Sequence, residues 1–254
     1  MLRRFATVCC LTATLTAAAQ EKPKNTILAV GAHAGDMELT CGALLAKEHA
    51  AGSRVVLLHL TLGERGNPKL SPDAYAEQKK REAMAVAEAL GAEVRFGPWH
   101  DGELPVSDEA RLFVARVIRE VKPTNVITHW KSSMHKDHEA ANVIVRDAVL
   151  LAALEGVLPD VPVWRGVRSV WYADNWEDAD GFSPYVYVDV TGAMPAWREA
   201  VGKYEFTHGT FSGFAYLDYY TGLASVRGAE ARKGQAEAFD IESYGKRRVL
   251  DRVP

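Results

Sequence analysis

The stretch Thr26-Ile27-Leu28-Ala29-Val30-Gly31-Ala32-His33-Ala34-Gly35-Asp36-Met37-Glu38 decides how this chain folds. Its first five residues are a short apolar run bounded by polar residues, the pattern of a buried strand. His33 and Asp36 then fall in the turn just beyond the carboxyl end of that strand. Much further along, Asn125-Val126-Ile127-Thr128 is a second such run, followed by His129-Trp130-Lys131-Ser132-Ser133-Met134-His135-Lys136-Asp137-His138-Glu139. Two strand ends therefore present histidines and a carboxylate that can converge on one metal ion. Neutral imidazoles plus a carboxylate, with one coordination position open, form the donor set of hydrolytic zinc sites.

Between and after these stretches, strands alternate with helices. A helix is expected over Thr40 to Ala51, ended by Gly52, and a strand over Arg54 to Leu60 that opens into the loop Thr61 to Pro68. Ser71-Pro72-Asp73 is a helix start, a capping serine with proline in the first turn. Ala83, Val86, Ala87 and Leu90 then recur at helical spacing, and Gly91 closes the helix. Glu93 to Phe96 is a short strand leading to Gly97-Pro98-Trp99-His100-Asp101-Gly102. Val114, Val117, Ile118 and Val121 mark a helix that Pro123 stops, and a further helix is expected from Glu139 to Leu154. Later strands are expected over Val167 to Tyr172 and Tyr185 to Val190, with a helix over Met194 to Tyr204. Thr207 to Gly228, rich in Gly, Thr, Phe and Tyr, suggests a packed aromatic loop or a wall against sugar rings.

This alternation, with continuous apolar runs in the strands, predicts an α/β fold with a mainly parallel sheet covered on both faces. In such sheets ligands bind beyond the carboxyl ends of the strands, where the polar constellations lie. No internal repeat or domain boundary interrupts residues 20–254.

Composition narrows the function classes. The 254 residues are 48% hydrophobic and 25% charged, ordinary for a soluble globular protein, and the formal charge of −3 leaves no basic footprint for nucleic acid. Met1-Leu2-Arg3-Arg4, an apolar stretch from Phe5 to Leu15, and Ala17-Ala18-Ala19 have the layout of a signal peptide. The apolar part is too short to span a bilayer stably. Export with cleavage after Ala19 is the expectation; loss of Arg3 and Arg4 would take the formal charge from −3 to −5. Cleavage would also remove Cys9 and Cys10, leaving Cys41 with no partner for an internal disulfide, and Cys41 itself suits a core position.

The two histidine stretches resemble the PIG-L/LmbE family of zinc-dependent N-acetyl-sugar deacetylases, whose first strand is followed by Ala-His-Pro-Asp-Asp-x-Glu and which later carry His-x-Asp-His. Here these read Ala32 to Glu38 and His135-Lys136-Asp137-His138. Gly63-Glu64-Arg65 and Asp101-Gly102 fall where family members often place substrate-binding groups, and Arg227-Gly228 with Ala236-Glu237-Ala238-Phe239 are similar to its C-terminal signature. The resemblance implies a Rossmann-like three-layer sandwich of the LmbE kind. It implies a zinc site at His33, Asp36 and His138, where another divalent transition metal such as iron or cobalt would also fit. His135 would be the acid for the leaving amine or a stabiliser of the oxyanion, Asp137 would orient a histidine, and Arg65 and Asp101 would hold sugar hydroxyls.

Two departures matter. Ala34 replaces the proline, and Gly35 replaces the aspartate that usually acts as general base, a role typically worth about 10²–10⁴ in rate. Glu38, Asp101, Glu64 and Asp137 are candidates for the missing base. Asp36 and Asp137 each precede a helix and are equally suited to capping it, His49 and His59 suit structural positions, and His100 and His129 lie in strand-end loops near the site.

The expected function is an exported zinc hydrolase removing an N-acyl group, most simply N-acetyl, from an amino sugar or glycoconjugate. The alternatives are a metal-retaining carbohydrate-binding protein that has lost hydrolysis, motivated by Gly35, and a nucleotide-dependent Rossmann enzyme. The second is weakened because the first turn lacks Gly-x-Gly-x-x-Gly. The sequence leaves the oligomeric state unspecified.

Overall fold

The computed structural model describes residues 25–247, so the expected signal segment lies outside the described residues. Strand β1 (Thr26–Gly31) is buried along its whole length, as its unbroken apolar run requires. It pairs in parallel with β2 (Arg54–His59) on one side and β4 (Asn125–Thr128) on the other. Beyond β2 lies β3 (Glu93–Phe96), and beyond β4 lies β5 (Ser169–Ala173), both parallel to their neighbours. The remaining strands, β6 (Val186–Asp189) and β7 (Ala236–Ile241), complete a seven-stranded sheet of order β3-β2-β1-β4-β5-β7-β6. β7 alone runs antiparallel to the other six strands.

Helices cover both faces. On one, α1 (Asp36–Ala50), α2 (Pro72–Leu90), α5 (Met194–Val201) and α6 (Tyr216–Glu230) bury Leu45, Val86, Leu90 and Trp197 against Ile27, Ala29 and Leu57. On the other, α3 (Asp108–Val121) and α4 (Lys136–Ala152) bury Val114, Ile118, Ile144 and Val145 against Leu28, Val30 and Val56. Alternate residues of β1 thus feed two cores, which is why its sequence is apolar throughout rather than alternating. The α2 start follows its sequence signal: Ser71 Oγ accepts from Ala74 N at 3.3 Å and Pro72 takes the first position. Among the described residues no helix is long and apolar enough to cross a membrane.

Three expectations are corrected. Helix α1 begins at Asp36, not Thr40, and α4 begins at Lys136 because the His135 side chain caps it, Nδ1 accepting from Asp137 N at 3.3 Å. The expected aromatic loop contains α6, whose buried Leu217, Tyr220, Ala224 and Gly228 recur at helical spacing. Gly228 is required there, since an added Cβ would lie 2.5 Å from the Gly234 carbonyl oxygen. The stretch Ala236 to Phe239 lies in an inner strand, β7.

The strand order reverses between β1 and β4, and the crevice at such a switch point is where α/β sheets bind ligands. His33 follows β1 and His129 follows β4, so both histidine-bearing turns open into that crevice.

Candidate metal centre and active site

Three side-chain atoms meet at the crevice. His33 Nδ1 lies 3.3 Å from Asp36 Oδ2 and 3.3 Å from His138 Nε2, and the third edge, His138 Nε2 to Asp36 Oδ2, is 3.6 Å. Four ligands placed tetrahedrally at 2.0–2.1 Å from a zinc ion stand about 3.3–3.4 Å apart. The triangle therefore has the dimensions of one face of a metal tetrahedron. His33 and His138 are buried, and Asp36 is partly so.

The far nitrogen of each histidine faces a carboxylate, which leaves the near nitrogen free to donate its lone pair. His138 Nδ1 lies 2.9 Å from Asp178 Oδ1, and His33 Nε2 lies 3.2 Å from Asp101 Oδ1 and 3.5 Å from Asp137 Oδ2. Burial, reinforced by neighbouring His129, lowers the His138 pKa to about 4, so its imidazole is neutral. His33 is held well above the usual histidine range: burial opposes charging, but Asp36, Asp101 and Asp137 outweigh it. Asp36 correspondingly sits well below the usual carboxylate range, because His33 and His138 outweigh its burial.

Asp178, which no sequence expectation singled out, braces this centre. Wholly buried, it also places Oδ2 3.0 Å from Nδ1 of His129, whose ring stacks on that of His138. His129 Nε2 accepts from Ala32 N at 3.0 Å and lies 3.1 Å from Asp36 Oδ2. Against the cost of burial, Asp178 and Asp36 raise the His129 pKa to about 9. Nδ1 donates to Asp178, while at Nε2 the Ala32 N–H calls for a bare nitrogen and the Asp36 carboxylate for a protonated one.

The remaining expected residues are placed as follows. His135 lines the cavity, its ring edge-on to His33 with centroids 4.5 Å apart, and burial lowers its pKa, with His33 adding to the effect. Asp137 accepts from Gly102 N at 2.7 Å and stands behind His33. Asp101 also stands behind His33 and accepts from Arg65 N at 3.1 Å. The Arg65 guanidinium points elsewhere, into an exposed pair with Glu103 at 2.7 Å, and is absent from the cavity lining. Asp36 serves the turn too, accepting from His33 N at 2.7 Å, although Gly35 holds the cap position of α1.

Of the four candidates for the missing base, Glu38 is buried beneath the site between Tyr204 Oη at 2.7 Å and His59 Nε2 at 3.2 Å. Glu64 is taken up by His100 and Asp101 N. A fifth carboxylate does face the centre. Glu177, in a 3₁₀ turn over Trp176–Asp178, lines the cavity with Oε2 3.5 Å from His138 Nε2. Burial, with Asp36 and Asp178 nearby, raises its pKa to about 7. One signal could have found it: Asp174-Asn175-Trp176-Glu177-Asp178 follows β5, at the same edge of the sheet as the two histidine turns.

Position 35 is closed rather than vacant. Gly35 has φ +112°, and an added Cβ would lie 2.7 Å from Phe206 Cζ and 3.7 Å from Lys79 Nζ. The cavity in front, about 200 Å³, is walled by Tyr75, Trp176, Phe206, Phe211 and Tyr216.

Fold and site together define a Rossmann-like α/β protein with an enzyme-like centre at the sheet's switch point. Residues 28–149 match the PIG-L family, described as GlcNAc-PI de-N-acetylase. It is similar to a 4-oxalmesaconate hydratase of Pseudomonas putida, 27% identical and covering 83% of each chain. It is also 32% identical to a 1D-myo-inositol 2-acetamido-2-deoxy-alpha-D-glucopyranoside deacetylase of Geodermatophilus obscurus, over 59% of this chain and 61% of the relative. The crystal structure of a Pseudomonas putida 4-carboxy-2-hydroxymuconate hydratase shares the fold, with TM-score 0.80 and 23% identity over 91% of this chain and 100% of that one.

Proposed function

We propose that this protein is a metal-dependent hydrolase that removes an N-acyl group, most simply acetyl, from an amino sugar or glycoconjugate. The observation that carries this is the His33–Asp36–His138 triangle, with the edges of a metal tetrahedron and a carboxylate behind each histidine. The deacetylase relative supports the acyl chemistry. A divalent ion held there, zinc by its nitrogen and oxygen donors, would supply Lewis acidity toward the acyl carbonyl.

The chain's own residues do the rest. Asp178 fixes the tautomer of His138, and Asp101 with Asp137 does the same for His33. Glu177, facing the cavity beside His138, accepts the proton of the attacking water in place of the carboxylate that position 35 lacks. His135, with Nδ1 accepting from Asp137 N, keeps its proton on Nε2 and donates a hydrogen bond to the developing oxyanion, while the proton taken up by Glu177 passes on to the departing amine. The aromatic walls exclude bulk water and suit the faces of a sugar ring. The N-terminal segment supports export, which sequencing the N-terminus of the mature protein would test.

A second reading is favoured by two observations. The hydratase relative matches over a larger share of both chains, and Gly35 lacks the carboxylate associated with amide hydrolysis. The same centre would then add water across a conjugated double bond. Zinc-loaded protein assayed for amine release from N-acetyl amino sugars, beside loss of absorbance from conjugated unsaturated acids, separates the two. Amine release abolished by chelation supports the hydrolase; absorbance loss with no amine release overturns it in favour of the hydratase.

A further inference from the structure

Lys79 is the one buried ammonium in the cavity wall. It is 4% exposed, on α2, yet it makes no ion pair within 4 Å among the described residues. Its hydrogen bond goes to the Ala34 carbonyl oxygen, and it lies over the rings of Phe206 at 4.0 Å and Tyr204 at 4.7 Å. One carbonyl and two ring faces offset only part of the cost of burying a charge. Burial lowers its pKa to about 8, with Asp36, Glu38, Glu82 and Asp101 favouring the charged form from a greater distance. Two of the three ammonium hydrogens have no acceptor among the described residues.

The location gives this meaning. Nζ is 3.7 Å from where a Cβ on residue 35 would stand, so an ammonium occupies the neighbourhood that an aspartate side chain would otherwise fill. A negative, proton-accepting environment beside the His33–Asp36–His138 triangle has become a positive, hydrogen-donating one. The cavity, about 200 Å³, is smaller than the roughly 300–1,000 Å³ typical of sites for drug-sized ligands, so the group bound there is small. A flat carboxylate fits between aromatic walls and accepts both spare hydrogens.

We propose that Lys79 is a substrate-anchoring residue and that the substrate carries a carboxylate, held beside Gly35 next to the reacting group. This rests on the reading of the triangle as the reaction centre and narrows the substrate to N-acyl amines that are also carboxylic acids.

The test is calorimetric titration of succinate and of uncharged succinamide into zinc-loaded and zinc-stripped protein, with zinc per chain measured alongside. Wild type should prefer succinate by about 10- to 100-fold in both forms, the range of a hydrogen bond to a charged group. In the stripped protein Lys79→Met should erase that preference, with the zinc content of the loaded form unchanged, and Lys79→Arg should restore part of it. A folded Lys79→Met that keeps the preference when stripped of zinc overturns the proposal. Should Lys79→Met not fold, wild type decides alone: preference in the stripped protein supports the anchor, and equal affinity for the two compounds overturns it. Failure of the metal reading appears separately, as no zinc bound.

Discussion

Replacing Gly35 by aspartate is the obvious way to restore a missing base, and the structure predicts that it fails. At φ +112° an L-residue is strained, at a cost of about 1–2 kcal/mol. The new Cβ would stand 2.7 Å from Phe206 Cζ, and overpacking of this kind costs about 1–3 kcal/mol more. The two together amount to roughly 2–5 kcal/mol, which for a chain of this size lowers the melting temperature by on the order of 10 °C. The new carboxylate would also meet Lys79 Nζ and be held in an ion pair instead of serving as a base. Gly35→Ala, which has the strain and the overlap but not that pair, should fall at least as far. Differential scanning calorimetry of wild type, Gly35→Ala and Gly35→Asp, with zinc-dependent amine release from N-acetyl amino sugars, tests this. A Gly35→Asp protein with wild-type melting and a rate gain near the 10²–10⁴ of a positioned base would refute the closure of position 35.

Four further outcomes are expected. His33→Ala and His138→Ala should each lose most bound zinc while keeping their circular dichroism; full zinc stoichiometry in both would sink the triangle. Asp178→Asn should weaken zinc binding about 10- to 100-fold, because the tautomer of His138 is no longer fixed; unchanged affinity in a chelator competition would show Asp178 to be mere packing. Glu177→Gln should lower kcat by about 10²–10⁴ with zinc content intact, and a wild-type kcat would return the proton to another group. Glu237, buried at β7, accepts from Ala43 N at 3.0 Å and Leu44 N at 2.8 Å, yet burial raises its pKa to about 8. The folded state therefore holds the proton more tightly than the unfolded chain does, and stability is lost as pH rises from about 4.3 toward 8. Glu237→Gln should gain on wild type across that window in urea midpoints at pH 5, 7 and 9, whereas parallel profiles would contradict the raised pKa.

Much of the fold was legible because local signals and burial agree. The apolar run of Thr26 to Val30, the Ser71-Pro72 start and the Gly91 stop are consequences of short-range sterics and hydrogen bonding. Helix α6 was hidden although its buried positions kept helical spacing, since Gly222, Gly228 and a dense aromatic content imitate a loop. The inner place of β7 was hidden for a different reason: an antiparallel insertion is chosen by which neighbour buries its faces, and nothing local records that choice. The contact of Asp101 with His33 likewise depends on a loop packing from beyond β3.

By itself the sequence determined the alternation of strands and helices, the two post-strand stretches that carry His33, Asp36 and His138, and the loss of a carboxylate at Gly35. Each of these is written in adjacent residues and short-range periodicity. Only the tertiary structure decided what surrounds the loss: Glu177 and Asp178 arriving from the turn after β5, Phe206 closing over Gly35, and Lys79 presenting a buried ammonium from α2. These groups are far apart in the chain, and their meeting is fixed by the sheet order and by the packing of helices on one face, which local sequence does not encode.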